Sequence, residues 1–155
     1  MRFLKKIWIS LLLLSLLLLI LFNLGLYHSP TYQNYSSQKF NQDFVHQLNF
    51  LQKEIHGGSA KEMQKIYPEG FVFQHALYAL SWIELFAELS PEDSLYRRAE
   101  EEINWSLKAL SSEDGKRIFQ HVKVPRYGIF YIGWVNYIRA RYLRILPDSQ
   151  QHDSL

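Results

Sequence analysis

An uncharged apolar run near the N-terminus constrains this chain more than any other feature. Residues 7–27 read IWISLLLLSLLLLILFNLGLY and contain no Asp, Glu, Lys or Arg. As an α-helix this segment would be about 31 Å long, close to the roughly 30 Å of a bilayer's hydrocarbon core. Trp8 and Tyr27 stand near its two ends, where aromatic side chains favour the membrane interface. The run therefore predicts a transmembrane anchor.

The charges around the run predict its orientation. Three Lys or Arg residues stand among the first six positions, and the first basic residue after the run is Lys39. Because short segments rich in Lys and Arg stay in the cytoplasm, residues 1–6 are predicted to be a cytoplasmic stub and residues 28–155 to lie outside the cytoplasm. We expect a single-pass protein of the cell membrane with the lipid bilayer as a partner. A cleaved signal peptide is the alternative, although its apolar region would be about 7–15 residues long.

The chain beyond the anchor is almost neutral, with 14 Lys or Arg and 15 Asp or Glu in residues 28–155. Such a domain lacks the basic field that nucleic-acid binding requires, so no nucleic acid is expected as a partner. The charges are unevenly distributed: residues 54–114 carry 12 acids and 5 bases, and residues 115–155 carry 7 bases and 2 acids. Each block is explained by a solvated face. For the basic block the alternative is a C-terminal helix that lies near anionic lipid headgroups.

Apolar spacing predicts an all-α domain of about four helices in residues 39–146. A polar linker at residues 28–38 precedes this helical-hairpin domain, and a disordered tail at residues 147–155 follows it. The first helix is predicted from a stripe at spacings of three and four residues, formed by Phe40, Phe44, Leu48, Leu51 and Ile55.

Residues 71–89 form the most apolar stretch after the anchor and predict a central buried helix. Two carboxylates within it, Glu84 and Glu88, would be costly at bilayer depth. Ser90 and Pro91 then predict the start of a third helix, whose outer face would carry surface pairs between Arg97 or Arg98 and Glu101 or Glu102.

The last part of the domain is predicted to be a long connection followed by a helix. The connection covers residues 111–128, in which Ile118 to Val124 alternate in polarity and predict a short extended piece or hairpin arm, and the helix covers residues 129–146. Across the domain the predicted core consists of Phe44, Leu48, Leu51, Leu77, Leu80, Ile103, Leu107 and Ile138.

Two segments of the domain echo each other at an offset of 57 residues. They read PEGFVFQHALYALSW from Pro68 and PRYGIFYIGWVNYIRARYL from Pro125, and they place Phe73 opposite Phe130. These helices resemble the inner helices of α/α-toroid enzymes, whose helical hairpins surround a central cleft. The resemblance covers roughly residues 60–146 and implies about two hairpins of an enzyme acting on carbohydrate or lipid. It brings no catalytic residue.

One aromatic stripe is the candidate binding site. On the central helix, aromatic residues and one histidine recur at spacings of four, three and four residues, from Phe71 to Trp82. This stripe has two interpretations: a platform that binds a sugar ring or an apolar ligand, or a part of the hydrophobic core. Trp134 and Tyr137 stand on the echoing helix, and we expect both helices to border an open surface. The candidate ligand-binding residues are Phe71, His75, Tyr78, Trp82, Trp134 and Tyr137.

The sequence carries no recognisable signature of catalysis, metal binding or cofactor binding. Asp43 and His46 have the spacing of one pair of metal ligands, but no second pair follows, and neither a metal nor a cofactor is expected. Gly133, Asn136 and Ala140 form a small-residue face that predicts a tight helix–helix contact. The sequence therefore favours an extracytoplasmic interaction or ligand-binding module, with a protein partner or self-association at the aromatic surface, over an enzyme.

Overall fold

The computed structural model describes residues 2–26, 32–35 and 38–146, and the chain divides into two compact units at Thr31. The first unit contains the helix α1, Arg2–Leu26. Most of the predicted linker and the whole of the predicted tail lie outside the described residues.

Helix α1 is long and apolar enough to cross a membrane. Within its segment Leu4–Leu26, an apolar window of 18 residues has a mean hydropathy of 2.7, and none of that window is buried. Two polar side chains bond to the helix's own backbone: Ser15 Oγ donates to the carbonyl of Leu12 at 3.2 Å, and Asn23 Nδ2 to that of Leu19 at 2.9 Å. Such internal bonding suits a helix surrounded by apolar groups.

The described part of the second unit is a short β-hairpin followed by α-helices. Strands β1 (Tyr32–Tyr35) and β2 (Gln38–Asn41) pair antiparallel, so the linker prediction is wrong for the residues of β1. The helices are α2 (Gln42–His56), α3 (Ser59–Ile66), α4 (Gly70–Phe86), α5 (Tyr96–Ser111), α6 (Glu113–Lys116) and α7 (Gly128–Ile145), with a 3-10 helix at Arg117–Phe119. Four of them are long, which confirms an all-α domain of about four helices.

Helix α4 is the centre of the domain, as predicted. Eleven of its 17 residues are buried, and α2, α3, α5 and α7 all pack against it. Helix α5 runs antiparallel to α4, because the ring of His75 lies 5.0 Å from that of Trp105 while Phe86 lies 4.4 Å from Tyr96. The apolar character of α4 is therefore explained by burial within the domain.

Helix α7 runs parallel to α4, and residues related by the 57-residue offset are neighbours. The rings of Phe73 and Phe130 lie 5.2 Å apart at 76°, and Arg141 Nη2 donates to Glu84 Oε1 further along the two helices. The sequence echo thus corresponds to two helices that lie side by side in the same direction.

The predicted start of α5 is wrong by several residues. Instead of Ser90 capping a helix, the carboxylate of Asp93 accepts a hydrogen bond from the backbone N–H of Ser90 at 2.7 Å. This bond closes a turn, and α5 begins only at Tyr96.

The prediction of an extended piece from Ile118 to Val124, within the connection 111–128, is also wrong. The hydroxyl of Ser112 accepts from the backbone N–H of Gly115 at 3.3 Å and caps α6. The 3-10 helix that follows buries Phe119, whose ring stacks on Phe130 at 5.8 Å and packs on Tyr131 at 5.5 Å. Burial of this ring favours a compact turn over an extended arm.

The core prediction is confirmed in part. Leu48, Ile103 and Ile138 are fully buried, whereas Leu51 and Leu77 are exposed. Helix α2 is rotated relative to the predicted stripe, since it turns Val45 and polar residues inward and Leu51 outward. The remaining predicted core residues, Phe44, Leu80 and Leu107, are partly buried against the core.

Two glycines of α7 should respond in opposite directions to substitution by alanine. Gly128 has a φ of +78°, which a side chain adopts only at a cost, and Gly128→Ala should lower the free energy of unfolding by about 1 kcal/mol. Gly133 lies within the helix, where a Cβ atom would meet nothing within 4 Å, so Gly133→Ala should raise it by about 0.5–1 kcal/mol. Urea unfolding followed by tryptophan fluorescence measures both, and changes of equal sign would contradict this description of the turn into α7.

Candidate functional site

The aromatic stripe of α4 is closed rather than open. The prediction that Phe71, His75, Tyr78 and Trp82 border an open surface is wrong, since none of the four is more than 4% exposed. Trp105 of α5 covers part of the stripe, with its ring 5.0 Å from His75 and 6.5 Å from Tyr78. These side chains are core, which is the second interpretation of the stripe given by its spacing.

A buried carboxylate, that of Glu102 on α5, lies beside this stripe. Its Oε2 accepts a hydrogen bond from the hydroxyl of Tyr78 at 2.8 Å and lies 2.8 Å from Nε2 of His56, and its Oε1 accepts from the side-chain amide of Gln52. Because a carboxylate only accepts, His56 must carry its hydrogen on Nε2. Three donors from α2 and α4 therefore converge on one carboxylate of α5.

Arg98 extends this set of hydrogen bonds by one turn of α5. Its Nη2 donates to Asn49 Oδ1 at 2.6 Å and to Oε1 of Gln52. Its guanidinium carbon also lies 5.4 Å from the ring centre of Trp82, within the range of a cation–π contact. We call Gln52, His56, Tyr78, Arg98 and Glu102 together the Glu102 cluster.

The Glu102 cluster was not predicted from the sequence. The predicted positions of Arg98 and Glu102 on the outer face of α5 are wrong, because Glu102 is only 6% exposed and Arg98 is half-buried. Only Arg97 and Glu101 form the predicted surface pair, at 3.6 Å. The spacing of Gln52 and His56, one turn apart on the side of α2 that carries Leu48 and Ile55, could have indicated that they face the core.

Burial shifts the pKa of two groups in this region. It raises the pKa of the Tyr78 hydroxyl, and the hydrogen bond to Glu102 raises it further, so this side chain stays a donor. Burial also lowers the pKa of His75 to about 4, and the neighbouring His56 adds to this shift. His75 is therefore neutral in the folded protein at neutral pH, stacked against Phe71 at 4.4 Å.

The Glu102 cluster is a structural feature and not an open reaction centre. Both oxygens of the Glu102 carboxylate accept hydrogen bonds from side chains of the same domain. Buried polar groups that are hydrogen-bonded in this way usually fix the packing of a core. Among the described residues, no group of three or more His, Cys, Asp or Glu side chains is placed to hold a metal ion.

An accessible groove lined by aromatic side chains lies on α7. Phe130, Gly133, Trp134 and Tyr137 line a shallow groove of about 290 Å³, which we call the α7 surface. Tyr137 is exposed and Trp134 is half-buried, so these two predicted residues do border an opening. Phe73 of α4 closes its inner side, with its ring 5.5 Å from that of Trp134.

The small-residue face of α7 is part of this open side. Gly133, Asn136 and Ala140 are all exposed, so the predicted tight helix–helix contact is not made within the described residues of the domain. By contrast, Tyr131, Ile138 and other residues on the opposite side of α7 are buried against the core. Helix α7 thus presents an unpartnered face to the outside of the domain.

Two other grooves on the surface of the domain are lined by charges of both signs. One of about 580 Å³ lies near the α2–α3 turn and is lined by Lys53 and Glu62, among others. Another of about 550 Å³ lies along α5, beside Arg97 and Glu101. The α7 surface differs from both in its aromatic lining, and it is the candidate functional site.

No protein-family model, curated protein or solved structure matches this chain. Its function is therefore inferred from the geometry of the described residues.

Removing the Glu102 carboxylate should destabilise the domain. In Glu102→Leu, the buried Tyr78, the half-buried Gln52 and the exposed His56 all lose their acceptor, and the free energy of unfolding should fall by about 3 kcal/mol. The matched control is Glu101→Leu, which changes the neighbouring exposed carboxylate and should shift stability by less than about 0.5 kcal/mol. Equal effects in urea unfolding would show that Glu102 has no special structural role.

Acidification should destabilise the domain through His75. Its folded pKa of about 4 is below the ordinary 6.5, so between these pH values the unfolded chain binds a proton that the folded chain does not. Stability should therefore fall as pH falls through this window, by up to about 3 kcal/mol from this group.

The variant His75→Leu isolates this contribution. Its free energy of unfolding, measured from pH 7 to pH 4, should have a smaller slope against pH than that of the wild type. His46→Gln changes an exposed histidine and should keep the wild-type slope. Parallel curves for wild type and His75→Leu would contradict the assignment.

Proposed function

We propose that the protein is a single-pass membrane protein whose helical domain is an extracytoplasmic interaction module working at the bilayer surface. In this proposal α1 is an uncleaved anchor, and the α7 surface is the contact surface of the domain. The domain acts by binding and carries out no catalysis.

The properties of α1 support the anchor. None of the apolar 18-residue window within its 23-residue segment is buried. These apolar side chains are therefore exposed. An exposed apolar surface of this extent requires an apolar environment. The basic residues Arg2, Lys5 and Lys6 all lie at its N-terminal end, which favours a cytoplasmic N-terminus.

The single observation that carries the proposed function is the contrast between two aromatic helices. On α4 the aromatic stripe is sealed, and on α7 Phe130 and Tyr137 remain 37% and 53% exposed beside Trp134. Exposed aromatic side chains around a groove are typical of interaction surfaces. With the polar cluster buried and internally bonded, binding is the activity that this geometry supports best.

The alternative, part of an α/α-toroid enzyme, has less support. The two echoing helices do lie side by side, but the stripe on α4 that would line a cleft is filled by Trp105 and by the Glu102 cluster. In the groove near the α2–α3 turn, the hydroxyl of Ser59 donates to Oε1 of Gln74 at 2.9 Å and not to a base. We therefore favour the interaction module.

A single introduced cysteine tests both anchor and orientation, because the natural chain has no cysteine. Lys108→Cys places a thiol at an exposed position of α5, and Ala76→Cys places one in the core as a control. In intact cells that express the chain with an N-terminal epitope tag, a membrane-impermeant maleimide should label only Lys108→Cys. The labelled protein should keep its tag and stay with the membrane after carbonate extraction.

Two outcomes would contradict this proposal. Labelling of Lys108→Cys only after permeabilisation would place the domain in the cytoplasm. Labelled protein that has lost the tag would show that the apolar run is a cleaved signal peptide.

A further inference from the structure

We propose that the α7 surface, together with the turn that precedes α7, docks on an anionic lipid surface. This inference rests on the proposed function and names the partner of the same site. Its occupant is the bilayer itself, not a second protein.

Apolar exposure continues from the α7 surface into the turn before it. Val124 and Ile129 are 91% and 78% exposed, the highest values of any large apolar side chains in residues 115–146. At 3.6 residues per turn, Ile129, Phe130 and Tyr137 fall within an arc of about 100° on the outer side of α7. Aliphatic and aromatic side chains in this arrangement match the composition of an interfacial membrane contact.

Positive charge is concentrated in the same segment. Residues 115–146 contain seven Lys or Arg and no Asp or Glu. Two of the seven bind carboxylates of other elements, Arg117 with Asp114 and Arg141 with Glu84. The segment therefore keeps most of its positive charge available for an external anionic partner.

The free basic residues flank the exposed apolar residues. Lys123, Arg126 and Arg144 are exposed, and no carboxylate of the described residues lies within 4 Å of their charged groups. Their long side chains can reach a headgroup layer while apolar neighbours enter the interface. The rest of the domain has the opposite charge, with 12 acids and 5 bases in residues 54–114, and this asymmetry would orient the domain on an anionic surface.

A bilayer is favoured over an acidic protein as the partner because the chain carries its own candidate membrane helix. A helix long and apolar enough to cross a membrane precedes the domain in the same chain. If α1 is the anchor, lipid headgroups are present at a high effective concentration, so that even a weak contact is populated. An acidic protein would have to compete with this permanent neighbour.

The test uses the full chain in lipid nanodiscs and nitroxide labels on single cysteines. Tyr137→Cys reports on the α7 surface, and Ile129→Cys is a second position on the same side in case the first variant does not fold. Lys108→Cys is an exposed position on α5, and Ile66→Cys is a control for apolar exposure alone, since Ile66 is 86% exposed on α3.

In nanodiscs containing about one quarter phosphatidylglycerol, the labels at positions 129 and 137 should favour collision with oxygen over a water-soluble nickel chelate. The ratio of the two accessibilities should be at least about threefold higher than at positions 66 and 108. In pure phosphatidylcholine the excess of this ratio at positions 129 and 137 should fall by at least about half.

The triple variant Lys123→Gln, Arg126→Gln and Arg144→Gln, measured in the anionic nanodiscs, should reduce the excess of this ratio by the same amount.

Three results would overturn the docking. Equal accessibility at all four positions would show that the surface stays in water. Spin–spin broadening at position 137, absent after dilution with unlabelled chain, would identify a second copy as the occupant. Unchanged lipid contact after loss of the three charges would exclude an anionic surface as the partner.

The cell experiment with the N-terminal tag separates this failure from failure of the proposed function. If α1 is not an anchor, the tag will be lost or the chain will be released by carbonate extraction, whatever the nanodisc labels report. A tagged chain that stays with the membrane but has water-exposed labels in nanodiscs would leave the anchor intact and refute only the docking.

Discussion

The buried carboxylate of Glu102 determines how three helices meet. It receives hydrogen bonds from Gln52 and His56 of α2 and from Tyr78 of α4, while its own helix is α5. A carboxylate in the core is tolerated only when such donors replace its water shell. Since these donors come from two separate helices, the bonds fix the rotation of α2 as well as its position. Leu51 faces outward because Gln52 must face inward.

This constraint also decides which aromatic surface is available for binding. With the Tyr78 hydroxyl bonded to Glu102 and Trp105 packed over the stripe, α4 cannot present its aromatic residues without breaking the cluster. Within the part of the chain that the structure describes, the exposed residues of α7 make no buried hydrogen bond of this kind, and the bond from Arg141 to Glu84 is an exposed one. Helix α7 is bonded to the domain through its inner side, for example by the hydroxyl of Tyr131, which donates to the carbonyl of Leu110 at 2.7 Å.

The two sides of α7 thus serve different purposes. The inner side contributes Ile138 and other buried residues to the core, and the outer side combines exposed aromatic residues with arginines. Because α7 packs parallel to α4, Arg141 lies beside Glu84 and forms an ion pair with it. This pair neutralises the positive charge of Arg141 next to the groove. In the proposed interaction module, this division leaves the outer side of α7 open to a partner while the inner side packs into the core.

The sequence by itself determined the apolar N-terminal helix, the all-α class and the central place of α4, since each follows from composition or spacing over neighbouring residues. It did not determine which aromatic residues are buried. Trp82 and Tyr137 occur in similar aromatic helices, yet one is fully buried and the other exposed. Only the tertiary structure decided this, because it depends on Glu102 meeting Gln52 and His56 about 50 positions earlier in the chain. Local periodicity carries no information on such a contact, and it treats an inward polar side chain as a surface residue.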